Sequence, residues 1–427
     1  MRTPYTAPVA PVMPTMRRFF MAASVHANTM LVVFCPFASG YYLSYFYRYV
    51  NAVIAKDLVQ DFGLAPGDLG LLTSAYFLAF AAFQLPLGVL LDRFGPRRCA
   101  AALMCVAAAG ALTFGLAQDL AMLSAGRALI GLGVSAGLMG SIKAFTLWFP
   151  RERLTALSGW MIAIGSLGAL SATAPVQALL GSFGWRTLFV VLALLSLAAA
   201  LLIFFVVPER ELPGRGESWG EQVAMIAKIF SRLDFWRLAA PLVLCQASFQ
   251  ALQGLWFAPW LADVHGFTRA AAADYLFASA LAYLIASVLL GQLTAMLAKR
   301  GVPQLRFYQA GMLLCAASFA PIALGAASGT LLWLVLFAAT SIAAITAYTL
   351  LTQLVPAAQT GRVTTSSNVL LFATSFVFQW GVGSLLGLWP SSEGRYQPEA
   401  YRAAFGLLLA AQAAAALWLL TAKSEKA

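Results

Sequence analysis

Long apolar runs recur along almost the entire chain, and this pattern restricts the fold more than any other feature. Each run is long enough to cross a bilayer as a helix of about 20 residues, and short charged or Gly/Pro-rich breaks separate the runs. Hydrophobic residues make up 61% of the 427 residues and charged residues 10%, so no large soluble domain fits beside the runs. We predict an all-α polytopic membrane protein. Its twelve helices are predicted near 28–56, 69–91, 98–117, 121–148, 155–180, 187–207, 238–261, 274–297, 307–326, 331–355, 364–388 and 403–421.

The longest polar stretch divides the predicted helices into two sets of six. The predicted segments are a tail over 1–27, a six-helix half over 28–207, a linker over 208–236, and a second half with a short tail over 237–427. Ser218 to Glu221 in the linker is a capping box, which predicts the start of a helix. Its apolar residues recur at helical spacing, so we predict a short amphipathic helix on the inner leaflet. They are Trp219, Val223, Ile226 and Phe230.

The two halves repeat each other at an offset of 203 residues. Gly63 then corresponds to Gly266, and Phe80 corresponds to Tyr283. Repeated halves are typical of transporters that open alternately to the two sides of a membrane. Repeats also occur in proteins that transport nothing, so the repeat alone does not establish transport.

The distribution of charge predicts the orientation. If the amino terminus is cytoplasmic, nineteen of the 27 basic residues face the cytoplasm, five face outward, and three lie within helices. The positive-inside rule then places both termini in the cytoplasm, and we predict the inner membrane as the location. The sixteen acids divide evenly between the two sides, and none lies deep in a predicted helix.

Several other classes of protein are excluded. The five cysteines lack the C-x-x-C spacing of metal or redox sites, so we expect no disulfide, metal or cofactor. The net charge of +11 forms no continuous patch, so nucleic acid is not an expected partner. The expected partners are a small-molecule substrate and the lipid bilayer, with the protein a monomer. No catalytic constellation lies at membrane depth, so we do not expect an enzyme.

The loop after the second predicted helix carries a dense charge pattern. Segment 88–98 reads Gly-Val-Leu-Leu-Asp-Arg-Phe-Gly-Pro-Arg-Arg. Asp92 lies at the carboxyl end of that helix, where the helix dipole is already negative, so an acid is unfavourable unless cations lie near it. We predict that Arg93, Arg97 and Arg98 are those cations. In the alternative interpretation, the arginines serve only as topology anchors.

This loop resembles the signature G-x-x-x-D-R-x-G-R-R of the major facilitator superfamily at nearly every position. The resemblance implies two six-helix bundles related by a pseudo-twofold axis, and a latch that holds the halves together when the transporter opens outward. The latch residues would be Gly88, Asp92, Arg93, Gly95 and Arg97. The corresponding loop of the second half has alanine in place of the acid, so the latch would be one-sided.

Arg48 is the first candidate for substrate binding, because an ionisable residue within a membrane helix is a functional candidate by default. At helical spacing it shares a stripe with Tyr41, Ser44, Tyr45 and Asn51. A guanidinium can bind a carboxylate or phosphate through two parallel hydrogen bonds. The alternative is a structural arginine that donates to helix carbonyls.

Two further basic residues lie within predicted helices. Arg127, with Gly131 and Gly133, is similar to the R-x-x-x-G-x-G element of the same superfamily, and we predict a buried structural or coupling residue. Lys143 is a secondary cavity candidate, although its side chain is close enough to the helix end to reach the interface.

The beginning of the chain also resembles the organophosphate:phosphate antiporters of that superfamily. Tyr41-Tyr42-Leu43 followed by Arg48 carries the resemblance, and it implies that Arg48 binds phosphate. Two departures argue against a phosphate ester as the first choice of substrate. Ile164 stands where those antiporters have a histidine, and Ala251 stands at the repeat position of Arg48.

The second half offers amide side chains for the opposite wall of a cavity. The first set follows one face of the seventh predicted helix and consists of Gln246, Gln250 and Gln253. The second set, Asn368 and Gln379, lies on the eleventh predicted helix. Such residues also serve as hydrogen-bonding links between membrane helices, which is the alternative interpretation.

A cationic wall facing a neutral polar wall predicts a secondary transporter for a small polar, anionic organic solute. The alternatives are a proton-coupled exporter of drugs or siderophore-like molecules, and a transporter-like sensor or assembly factor. A proton carrier is usually a buried carboxylate, and the helices contain none. We therefore expect anion exchange, facilitated diffusion, or a proton that the substrate itself carries.

Overall fold

A computed structural model describes residues 29–210, 219–326, 328–356, 359–390 and 395–422 of the chain. The predicted tail over 1–27 and the capping residue Ser218 lie outside the described residues. Within them the regular structure is helical throughout the predicted spans.

The first part of the chain forms six helices, and glycines divide two of the longer runs. The 50-residue run Pro66–Gly115 contains Gly95 at φ 80° and ψ 160°, a conformation that a residue with a side chain rarely adopts. Gly184, at φ 69° and ψ 165°, divides the run Ala174–Val206 in the same way. The helices are α1 (Met30–Phe62), α2 (66–94), α3 (96–115), α4 (Leu120–Trp148), α5 (Arg151–Ser171, continuing over 174–183) and α6 (185–206).

The rest of the chain contains the linker helix and a second set of six. The linker helix is α7 (Trp219–Phe230), at the predicted position. The others are α8 (Leu233–His265), α9 (Arg269–Lys299), α10 (Gln304–Leu324), α11 (Thr330–Gln353), α12 (Thr360–Leu386) and α13 (Pro398–Leu419). A π turn at Leu252–Trp256 interrupts α8.

The predicted fold class is confirmed. Eleven helical runs among the described residues are long and apolar enough to cross a membrane, and the break at Gly95 makes two helices of the longest one. The repeat is also visible in the backbone, because its mates Gly63 and Gly266 end α1 and α8 at φ 63° and 69°. Helix α1 runs six residues beyond its predicted end at 56, since the polar residues there lie in a continuing helical turn.

The two sets of helices meet closely at the end of the bundle opposite the linker, which we call the far end. Helices α2 and α12 are so close that a Cβ at Gly383 would lie 2.4 Å from the carbonyl oxygen of Pro66. A Cβ at Gly70 would lie 2.9 Å from the carbonyl oxygen of Gln379, and the Trp256 indole donates to that oxygen at 2.9 Å. The structure is therefore closed at the far end.

Candidate functional site

A cavity of about 280 Å³ lies between the two sets of helices, at middle depth and toward the linker end. The first set contributes mainly hydroxyl groups and one cation, whereas the second set contributes amides and two further phenols. Its polar lining residues are Tyr41, Ser44, Tyr45, Arg48, Tyr49, Gln84, Ser135, Gln246, Gln250, Tyr283, Tyr348, Thr364 and Asn368.

Arg48 lies at the centre of this lining and is 5% exposed. Its guanidinium carbon is 4.4 Å from the ring centroid of Tyr45, 5.0 Å from that of Phe372 and 5.7 Å from that of Phe80. No acid among the described residues forms an ion pair with it, and its Nε has no hydrogen-bond partner in the described structure. The aromatic faces stabilise the cation only partly, so the cavity retains an uncompensated positive charge.

Hydrogen bonds orient the polar groups around this cation. Gln246 donates from Nε2 to the carbonyl oxygen of Ser341 at 2.8 Å, which fixes the direction of its amide. Tyr348 donates to Oδ1 of Asn368 at 2.6 Å, so the amide nitrogen of Asn368 is left to face the cavity. Both amides can then offer hydrogen bonds to a bound solute.

Small residues of α5 bring the tyrosine wall into position. A Cβ at Gly165 would lie 2.7 Å from Cε1 of Tyr41, and a Cβ at Gly168 would lie 2.3 Å from the carbonyl oxygen of Tyr42. Any larger residue at either position would push α5 away from α1. These glycines were not predicted, because their spacing of three differs from the spacing of four in the known small-residue motif of membrane helices.

Six of the ten predicted binding residues line the cavity: Tyr41, Tyr45, Arg48, Gln246, Gln250 and Asn368. Tyr49 was not predicted, although it lies four residues after Tyr45 on the same stripe of α1. Gln84 and Tyr348 were not predicted because their positions follow from the packing of separate helices.

Three predicted residues are buried between helices instead of lining the cavity, and two of them form hydrogen bonds to a neighbouring helix. Asn51 donates to Oγ1 of Thr73 at 3.1 Å, and Gln253 donates to the carbonyl oxygen of Leu276 at 2.9 Å. Gln379 is fully buried at the contact of α2 with α12. Gln253 lies in the π turn of α8, where the wider winding breaks the periodicity that aligned it with Gln246.

Lys143 requires a correction, because it does not line the cavity. Its Nζ donates to Oδ1 of Asp92 at 2.7 Å, and both side chains are about one-third exposed, at 33% and 31%. Asp92 thus has a cation beside it, as the helix dipole requires, but that cation is Lys143 and not the predicted Arg93, Arg97 or Arg98.

The arginines of the same loop contact other groups. Arg97 donates from Nε to the carbonyl oxygen of Phe204 at 2.8 Å. Glu209 accepts from Arg98 at 2.5 Å and lies 3.5 Å from Arg97. These contacts join α2, α3, α4 and the segment after α6, so the loop does not bridge the two sets of helices in this conformation.

Arg127 lies within the first set of helices and is 1% exposed. It donates from Nη1 to the carbonyl oxygen of Tyr47 at 3.0 Å, and its guanidinium carbon is 5.3 Å from the ring centroid of Tyr76. Both partners belong to neighbouring helices, which suits the structural role expected of it.

An ion pair joins the two sets of helices at the far end. Arg269, at the start of α9, donates to both carboxylate oxygens of Asp57 at 2.9 and 2.5 Å. It also donates to the carbonyl oxygen of Val53 at 3.3 Å. Asp57 lies nine residues after Arg48 on α1, so one helix carries both the cavity cation and the far-end contact.

The model of the Major Facilitator Superfamily matches residues 37–379, a span that includes the cavity, the charged loop and the helices from α1 to most of α12. The chain belongs to the major facilitator superfamily. It is accordingly a multi-pass membrane protein of a superfamily of transporters, not of enzymes.

Curated relatives of this superfamily member resemble parts of it. A probable sulfoacetate transporter of Cupriavidus necator is 30% identical over 166 residues, which is 39% of this chain and 38% of that protein. The hexuronate transporter of Escherichia coli K12 is 24% identical over 244 residues, 53% of this chain and 56% of that protein. These matches therefore cover about two-fifths to just over half of each relative. The hexuronate match gives weak support to the antiporter resemblance.

Solved structures of this superfamily share the fold over almost the whole chain. A bacterial homologue of the human lysosomal transporter Spinster, inward-facing and occupied, aligns with a TM-score of 0.69 at 18% identity. That alignment covers 91% of this chain and 95% of the other. The D-xylose-proton symporter aligns with a TM-score of 0.70 at 16% identity, over 92% and 97% of the two chains. At these identities the likeness concerns the fold alone.

Proposed function

We propose that this protein is an alternating-access secondary transporter for a small polar organic anion. The observation that carries the proposal is Arg48, a buried cation in the central cavity that has no acidic partner among the described residues. A cation in such a place is costly, and a bound anion would offset that cost. Relatives named for sulfoacetate and hexuronate, both organic anions, support this substrate class.

Each wall of the cavity has a distinct part in binding. Arg48 would bind the anionic group through two parallel hydrogen bonds, with the phenol of Tyr45, which accepts from Tyr41, as an additional donor. Gln246, Gln250 and Asn368 would bind hydroxyl or carbonyl groups at the other end of the solute. A volume of about 280 Å³ suits a solute of a few to about a dozen heavy atoms.

The orientation follows from charge. We propose that the linker end is cytoplasmic and that the protein resides in the inner membrane as a monomer with both termini inside. The structure, closed at the far end, would then be an inward-facing conformation. In the opposite conformation the Asp92 loop, with Gly88, Arg93, Gly95 and Arg97, would hold the linker ends together.

A proton-coupled exporter remains the second candidate, because a multidrug resistance protein of Mycobacterium tuberculosis is 26% identical over 181 residues. The cavity argues against it, since no carboxylate is among the residues that line it. A proton carrier in a shielded cavity needs a group that titrates in the working range, and arginine does not.

The test is a thermal-shift screen of the purified protein against organic carboxylates, sulfonates and phosphate esters, each paired with an uncharged analogue of similar shape. A ligand that binds only the folded protein raises the unfolding temperature. We expect stabilisation by a subset of the anions and none by their uncharged analogues. Stabilisation by hydrophobic cations and by no anion would favour the exporter instead.

A further inference from the structure

A second cavity, of about 350 Å³, lies at the linker end of the first six helices, apart from the Arg48 cavity. Its walls come from the α2–α3 loop, the end of α4 and the segment after α6. Four arginines line it, namely Arg93, Arg97, Arg98 and Arg210. The proposed transport mechanism uses none of their positive charge for the substrate.

The charges within this cavity do not balance. Glu209 is the one acid among the lining residues, and it pairs with Arg97 and Arg98 at 3.5 and 2.5 Å. The guanidinium carbons of Arg93 and Arg210 instead face the rings of Phe94 and Trp148, at 5.3 and 5.0 Å from the ring centroids. Asp92 lies nearby but is paired with Lys143. Four arginines against one acid leave three positive charges in a space the size of a small ligand.

The cavity lies at helix ends, the level at which membrane helices would meet the lipid headgroups. Helix α2 ends and α3 begins at Gly95, and α4 ends at Trp148. Phe94 is 46% exposed beside the arginines, and the same cavity is lined by Trp148, a residue type that is enriched at membrane interfaces. Basic pockets between membrane helices at this depth suit phosphate-bearing headgroups.

We propose that this cavity binds the phosphodiester of an acidic phospholipid headgroup. Arg93, Arg98 and Arg210 would donate to the phosphate oxygens, which arginine contacts in a bidentate manner. Glu209 competes with the phosphate for Arg98, so a bound lipid would loosen the contact between the α2–α3 loop and the segment after α6. The fraction of acidic lipid in the bilayer would thus change how firmly the α2–α3 loop is held.

The experiment is native mass spectrometry of the detergent-purified full-length protein, titrated with phosphatidylglycerol or phosphatidylcholine. The test variant combines R93Q, R98Q and R210Q, and the control combines K299Q, R300Q and R306Q. The control removes three positive charges from the corresponding loop of the second half. We expect phosphatidylglycerol binding to weaken roughly tenfold or more in the test variant and to stay near wild type in the control. Glu209→Gln should tighten binding, a gain that misfolding cannot produce.

Three results would overturn the proposal. If phosphatidylglycerol binding weakened equally in the test and control variants, general surface charge and not this cavity would account for the binding. Equal affinity for phosphatidylcholine and phosphatidylglycerol would show that the cavity does not select an acidic headgroup. Displacement of the lipid by equimolar inorganic phosphate would assign the cavity to a free phosphate instead of a lipid.

Discussion

Arg48 and Arg127 are both buried against aromatic rings without an acidic partner in the described structure, but of the two only Arg48 lines the central cavity. A stripe on one helix was enough to predict Arg48 together with Tyr41 and Tyr45, since residues three and four apart share a helix face. The partner of Lys143 was not predictable in this way. Asp92 lies 51 positions earlier, and only the packing of α2 against α4 brings the two together.

The geometry of the guanidinium should matter as much as its charge. Arg48→Lys keeps the charge but loses the planar fork, so we expect the affinity for the stabilising anion to fall roughly tenfold or more. The measurement is the concentration dependence of the thermal shift. Arg300→Lys, a surface replacement of the same kind, serves as the control. If the affinity for the anion were unchanged in Arg48→Lys, Arg48 would not be part of the binding site.

At the scale of helices, close contacts place the walls of the cavity. Helix spans were predictable because a chain in lipid must satisfy its backbone hydrogen bonds within each helix, which makes long apolar runs unambiguous. The contacts between helices were not predictable from the sequence, because they join residues that are far apart along the chain. The Asp57–Arg269 pair spans 212 positions.

Gly168 should tolerate no side chain, because a Cβ there would lie 2.3 Å from the carbonyl oxygen of Tyr42. We expect Gly168→Ala to destabilise the protein by about 1–3 kcal/mol through forced separation of α1 and α5. Gly159→Ala on the same helix is the matched control, since a Cβ there meets nothing within 4 Å. The unfolding temperature should fall for the first variant and hold or rise for the second. Equal temperatures would show that α5 does not pack against α1 as described.

The ion pair at the far end should help to keep that end closed. Asp57→Asn removes one partner of a pair whose side chains are 35% and 24% exposed, so screening limits the expected effect to about 1 kcal/mol, or about fivefold in the conformational equilibrium. Labelling of single cysteines at the far-end mouth should increase in this variant. Asp274→Asn, which changes an exposed acid of α9, should leave the labelling unchanged. Restoration of low labelling by D57R combined with R269D would identify the pair as the cause.

At the scale of the whole molecule, two repeated sets of helices enclose the Arg48 cavity between them, and the bundle is closed at the far end. The sequence repeat predicted the two matching sets of helices. The backbone shows the same repeat, because α1 and α8 each end at a glycine with a positive φ. The chemistry of the cavity is not symmetric, since its cation comes from the first set and three of its four amides, Gln246, Gln250 and Asn368, come from the second. A solute with one anionic end and one neutral polar end matches that asymmetry.

The most direct test of this account is counterflow in proteoliposomes that have the same pH on both sides. Vesicles are loaded with the stabilising anion, and the entry of the labelled anion is followed in wild type and Arg48→Gln. We predict counterflow in wild type without any ion gradient, because no buried carboxylate lines the cavity. We predict none in Arg48→Gln at equal protein incorporation. Counterflow that persists in Arg48→Gln, or accumulation that requires a proton gradient and disappears on neutralising Asp57, Asp61 or Asp68, would contradict the account.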